Sequence, residues 1–135
     1  MKKIVFVCTG NTCRSPMAEG YLKSKKTAGY EIISRGLSAD GSPAAQNSVN
    51  VMLESGIDIT SHISKQMSYA DAEGADAIVC MSSSHADLLE ALGFDKLKIH
   101  VLGIADPFGG DIDVYRACRD EIFEAVDELI EDGIL

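Results

Sequence analysis

The chain lacks long hydrophobic runs, and no stretch approaches the length of a membrane span. Its start, Met1-Lys2-Lys3-Ile4, is too short before the first turn to act as a secretory leader. Both absences predict a cytoplasmic protein with no membrane partner. Positive charge is scarce: 12 Lys and Arg against 21 Asp and Glu leave a net charge of −9. That balance argues against a nucleic-acid partner and against an acidic lipid surface. Any anion site must then draw its positive potential from local groups. Metal-ligand spacing is missing as well. Cys8, Cys13, Cys80 and Cys118 form no Cys-x-x-Cys pair, and His62, His85 and His100 are scattered, so no metal or cofactor is expected. A chain long enough for a core, and expected in the cytoplasm, keeps such thiols reduced by default. No internal repeat, low-complexity tract or linker interrupts the sequence. Residues 1–135 therefore read as one domain around one core.

What is present is an alternation of apolar runs and helical patterns. Strands are predicted at Lys3 to Val7, Glu31 to Ser34, Ala75 to Met81 and Lys98 to Leu102. Helices are predicted at Ser15 to Ala28, Ala44 to Glu54, Ser84 to Leu92 and Ile112 to Ile130. Pro16 falls in a first helical turn, where a missing N–H costs little. Met17, Gly20, Tyr21 and Ser24 define the expected inward stripe of that helix. Alternating elements imply an α/β fold, a doubly wound parallel sheet covered on both faces. Right-handed crossovers gather the loops after the strands at one sheet edge. Leu37 to Ser48, rich in Ser, Gly and Ala, reads as a flexible loop at that rim.

The first of those loops carries the chemistry: Cys8-Thr9-Gly10-Asn11-Thr12-Cys13-Arg14-Ser15. A thiol ends the first strand and an arginine closes the loop six residues later. Backbone N–H groups turned inward at a helix N-terminus make a phosphate cradle. The same donors and the helix dipole favour the thiolate of Cys8, and the Ser15 hydroxyl can add a further hydrogen bond. Gly10 is expected to permit a tight turn and Asn11 to tolerate a left-handed conformation. Arg14 offers a planar fork for two phosphoryl oxygens. A leaving group needs a proton, and Asp106, in the run Asp106-Pro107-Phe108-Gly109-Gly110, is the natural donor. A bound dianion beside it favours its protonated form. Once ionised, the same carboxylate can activate the water that cleaves a phosphocysteine.

The pattern Cys-x-Gly-Asn-x-Cys-Arg-Ser-Pro, with Asp-Pro late in the chain, resembles the low-molecular-weight protein tyrosine phosphatases along essentially the whole length. The resemblance implies Cys8 as nucleophile, Arg14 as phosphate clamp and Asp106 as general acid and then base. It implies a four-stranded parallel sheet in the order 2-1-3-4, and Ser34 and His62 as supports that hydrogen-bond to Asn11. Thr9, Gly10, Asn11, Thr12, Cys13 and Ser15 complete the phosphate-binding loop, with Phe108 at the rim. The partners implied are phosphorylated proteins, with inorganic phosphate or a similar oxyanion in the loop. Tyrosine-specific members commonly carry an aliphatic residue at the Thr12 position. Threonine there, and the run after Asp106, resemble the bacterial protein arginine phosphatase branch. Phosphotyrosine is the family's broader substrate, and phosphoarginine is the alternative. An arsenate reductase shares the fold and loop but needs a close pair of further cysteines, which Cys80 and Cys118 do not form in sequence.

Other residues have plainer readings. Cys13 is either a reversible disulfide partner that protects Cys8 from overoxidation or a small packed residue. Cys80 and Cys118 belong in the core. Asp111 and Asp113 are expected to cap the last helix. Glu121, Glu124, Asp127, Glu128 and Glu131 read as its solvated face. His85 and His100 carry no functional reading.

Overall fold

In a computed structural model, which describes residues 1–26 and 28–135, a four-stranded parallel sheet is flanked by helices on both faces. The strands are β1 (Lys2–Cys8), β2 (Tyr30–Gly36), β3 (Ala77–Cys80) and β4 (Ile99–Val101). Their order is β2-β1-β3-β4. β1 pairs with both neighbours, which is why Ile4, Val5, Phe6 and Val7 can all be apolar: every one is fully buried. Alternation along β1 divides the core. Ile4, Phe6 and Cys8 face α1 (Arg14–Lys25), α2 (Gln46–Leu53) and α5 (Ile112–Glu131), with Met17, Leu22, Met52 and Ile122. Val5 and Val7 face the other side, with Ile78, Cys80, Met67 and Leu89, under α3 (Tyr69–Ala72) and α4 (Ser83–Ala91). Among the described residues no helix is long and apolar enough to cross a membrane.

Several expected features differ in detail. α1 ends at Lys25, and the expected continuation to Ala28 crosses Thr27, which lies outside the described residues. Its buried stripe is Met17, Ala18, Tyr21 and Leu22, whereas Ser24 is exposed and bonds back to the Tyr21 carbonyl. Gly20 is where α1 meets the chain after α2: a Cβ there would lie 2.9 Å from Ile59 Cγ2. The short α3 escaped the periodicity because four residues span barely one turn; a capping box between Ser68 and Asp71 makes it. Leu37 to Ser48 is no free rim loop. Its first residues donate backbone hydrogen bonds to the Cys8 and Thr9 carbonyls, Ala45 N–H donates to the Thr12 carbonyl, and α2 begins at Gln46. On α5, Asp127 is half-buried and accepts the Tyr21 hydroxyl at 2.8 Å, so the acidic run is not solvated throughout. Asp111 caps α5 through Val114 N–H, whereas Asp113 pairs with Arg116.

Candidate active site

The loop between β1 and α1 wraps around the Cys8 sulfur. Asn11 N–H donates to Sγ at 3.2 Å, and Ser15 Oγ lies 2.9 Å away. Asn11 is the loop's keystone. It takes the left-handed backbone conformation, with φ 56°, and is fully buried. Its Nδ2 hydrogens go to Ser15 Oγ at 2.8 Å and Ser34 Oγ at 3.0 Å, and its Oδ1 accepts Lys65 N–H at 2.9 Å. Its carbonyl accepts His62 Nε2–H at 2.7 Å. The Ser15 oxygen accepts from Asn11 Nδ2–H, and its own hydrogen can be donated to an ionised Cys8 sulfur. The predicted supports, Ser34 and His62, thus both reach Asn11. Asn11 thus takes the left-handed conformation expected of it, while Gly10 has no positive φ. The glycine the loop requires is Gly36 at the end of β2, where a Cβ would sit 2.8 Å from the Thr9 carbonyl oxygen and 3.0 Å from Asn11 Cβ.

Arg14, the first residue of α1, is 5% exposed. One Nη donates to the Ile104 carbonyl at 2.9 Å, and the other lies 3.7 Å from Asp106 Oδ2. Its Nε is buried without an acceptor. An orphaned guanidinium donor calls for an absent acceptor, and a phosphoryl oxygen supplies one. A cavity of about 240 Å³ joins Cys8, Thr9, Gly10, Thr12, Cys13 and Arg14 to Asp106 and Phe108. Asp106 is half exposed at its mouth, and its Oδ1 accepts Phe108 N–H at 3.0 Å, which shapes the turn after Pro107. Phe108 stands 81% exposed at the rim. The Thr12 hydroxyl meets Cys13 Sγ at 3.7 Å, a weak contact that leaves it open to a ligand. Cys13 is buried, with its sulfur 3.5 Å from the Tyr115 hydroxyl. Burial, then that hydrogen bond, pushes the Tyr115 phenol well above its ordinary range.

One residue given no role by the sequence belongs here. His85, on the first turn of α4, is buried with Nε2 2.8 Å from Thr9 Oγ1 and Nδ1 3.0 Å from Ser82 Oγ. Only the serine-rich run Ser82-Ser83-Ser84 ahead of it hinted at a polar helix start.

All four cysteines are free thiols, in unlike surroundings. Burial pushes the Cys80 thiol up to about 11 and the Cys118 thiol up to about 12. Iodoacetamide at pH 8 should therefore label neither until denaturant is added. Labelling of Cys8 should be suppressed by inorganic phosphate, as read by peptide mass mapping. Rapid native labelling of Cys80 or Cys118 would contradict this packing.

A buried thiol ringed by donors, an arginine with an unsatisfied edge and a carboxylate at the mouth define a cysteine-based phosphatase, a hydrolase. The chain belongs to the low molecular weight phosphotyrosine protein phosphatase family, whose model matches residues 3–132. A protein-arginine-phosphatase of Geobacillus stearothermophilus is 44% identical over 142 residues, covering 96% of this chain and 94% of that protein. An arsenate reductase of Halalkalibacterium halodurans is 36% identical over 138 residues, covering 98% and 97%. The crystal structure of a low molecular weight protein tyrosine phosphatase from T. tengcongensis superposes with a TM-score of 0.91 at 37% identity, covering 98% of this chain and 99% of that one.

Proposed function

We propose that this phosphatase hydrolyses phosphoarginine in proteins through a phosphocysteine on Cys8. The Cys8 thiolate attacks phosphorus in line, an S–P bond forms and the P–N bond breaks. The electron pair stays on the guanidino nitrogen, which takes a proton from Asp106. Arg14 and the loop N–H groups hold the equatorial oxygens throughout. The Asp106 carboxylate then takes a proton from water, whose oxygen attacks phosphorus. The S–P bond breaks, releasing inorganic phosphate and restoring the thiolate. The scheme calls for no metal. The proposed partners are cytoplasmic phosphoproteins, and inorganic phosphate or a similar oxyanion is the proposed occupant of the loop.

The observation that carries the choice of substrate is Thr12. Its half-buried side chain lines the cavity with a hydroxyl that has only a weak contact. A guanidino group brings N–H donors for that oxygen; a phenol ring brings none and prefers an apolar wall. The name of the Geobacillus relative supports the same choice. Phosphotyrosine is the second reading, favoured by the exposed Phe108 ring, which offers an apolar face to a phenol. The arsenate reductase reading has weaker support. Cys80 and Cys118 belong to clusters on opposite faces of the sheet and form no relay pair.

The deciding experiment compares kcat/KM on matched phosphoarginine and phosphotyrosine peptides at neutral pH with chelator. A preference for phosphoarginine is expected, and Thr12→Ile should shift it toward phosphotyrosine by about tenfold to a hundredfold, the loss of one hydrogen bond to a charged group. A wild-type preference for phosphotyrosine would overturn the assignment.

A further inference from the structure

Thr9 follows the nucleophile and lines the same cavity, yet its side chain is held from across the fold. Its Oγ1 lies 2.8 Å from Nε2 of His85, 76 residues away on α4. His85 is in turn fixed by Ser82, whose Oγ lies 3.0 Å from Nδ1 and 2.9 Å from Ser84 Oγ. Ser82 occupies the N-cap of α4 but makes no capping hydrogen bond with its side chain. Serine is a favoured capping residue, so its hydroxyl has been turned from an ordinary helical duty toward the imidazole. The Thr9 backbone is secured independently, since its carbonyl accepts Ser38 N–H at 2.9 Å. The His85 contact therefore fixes what the side chain presents, beyond where the loop runs.

Burial, then the charge of Arg14, lowers the His85 imidazole below its usual range, against an opposing pull from Asp106. The ring is neutral at neutral pH, with one nitrogen donating and one accepting. If Nε2–H donates to Thr9, the threonine oxygen keeps one lone pair free. If Thr9 donates to Nε2, it keeps two. Either tautomer leaves an acceptor at the cavity wall. A phosphoguanidino group carries N–H donors close to phosphorus; a phenyl phosphate carries none.

We propose that Thr9 is a second specificity-determining residue of this pocket, and that His85, backed by Ser82, is the positioning residue that holds the Thr9 oxygen to receive a guanidino N–H. The inference rests on the phosphoarginine reading and extends it to a pair of hydroxyl walls, Thr9 and Thr12.

The test is the ratio of kcat/KM on a phosphoarginine peptide to kcat/KM on an aryl phosphate. Thr9→Val, which keeps shape and removes the hydroxyl, should lower that ratio about tenfold, and Thr9→Ser should retain it. His85→Gln keeps a polar atom at the Nε2 position and should retain the ratio. His85→Asn keeps one only at the Nδ1 position, withdraws the partner of Thr9, and should lower the ratio as Thr9→Val does. The Thr9→Val/His85→Asn double variant should fall no further than Thr9→Val alone. Thermal melting checks that each variant is folded, and the Gln and Asn pair separates positioning from mere loss of a buried ring. A loop damaged as a whole loses both activities together and leaves the ratio unmoved; that outcome, or an additive double variant, overturns the inference. A wild-type enzyme inactive on phosphoarginine overturns the substrate reading and this inference with it. Wild-type activity with a ratio unmoved by Thr9→Val overturns this inference alone.

Discussion

Cys8→Ser is expected to lower turnover by at least about 10⁴-fold on any phosphomonoester or phosphoguanidine substrate, the scale of losing an enzyme's nucleophile. The hydroxyl would occupy the same nearly closed site, 2% exposed, at the end of a strand that is buried from Ile4 onward. It would face the same Asn11 and Ser15 donors that now meet the sulfur. Those donors can hold negative charge on a sulfur but cannot make an alkoxide from an alcohol. Oxyanion binding should survive, because the proposed clamp is Arg14 and the loop N–H groups. Phosphate titration by calorimetry together with steady-state kinetics separates the two. Substantial turnover by the serine variant would end the thiolate mechanism, and loss of phosphate binding as well would mean the loop had collapsed.

Asp106→Asn should cost about 10²–10⁴-fold on a phosphoarginine peptide, the usual range for a general acid. The effect should depend on the leaving group. A guanidine expelled without a proton is a very poor leaving group, whereas nitrophenolate leaves readily as an anion. The loss on nitrophenyl phosphate should therefore be markedly smaller in the bond-breaking step. The structure favours this contrast because Asp106 is half exposed and touches the loop only through a 3.7 Å approach to Arg14. Its replacement should leave the Cys8 pocket assembled. Equal losses on both substrates, measured by single-turnover kinetics, would instead make Asp106 a structural partner of Arg14.

Much of the site was legible because it is local. Cys8 to Ser15 is one contiguous loop, and its residue types state its chemistry: a thiol at a strand end, a left-handed asparagine, an arginine fork on the following helix. The sheet order was legible only through the resemblance, since alternation of elements implies parallel strands without ordering them. Helix ends missed by up to three residues because periodicity marks a face and not an end: α2 starts at Gln46, two residues after the expected Ala44, where Ala45 N–H is still bonded to the distant Thr12 carbonyl. Ser24 was misread because helical spacing marks a face without saying how wide the covering layer is.

What the chain by itself determined is the class of chemistry and the layered α/β frame, because both follow from short-range patterns: a loop sequence, apolar runs and their alternation with helices. What only tertiary structure decided is which distant groups complete the site. His85 reaches Thr9 across 76 residues, Lys65 N–H reaches Asn11 Oδ1 across 54, and Gly36 must be glycine because the Thr9 carbonyl passes 2.8 Å from where its Cβ would be. These contacts arise where β1, β2 and β3 end side by side at one sheet edge. Pairing of strands far apart in the chain puts them there, and no local pattern records that proximity.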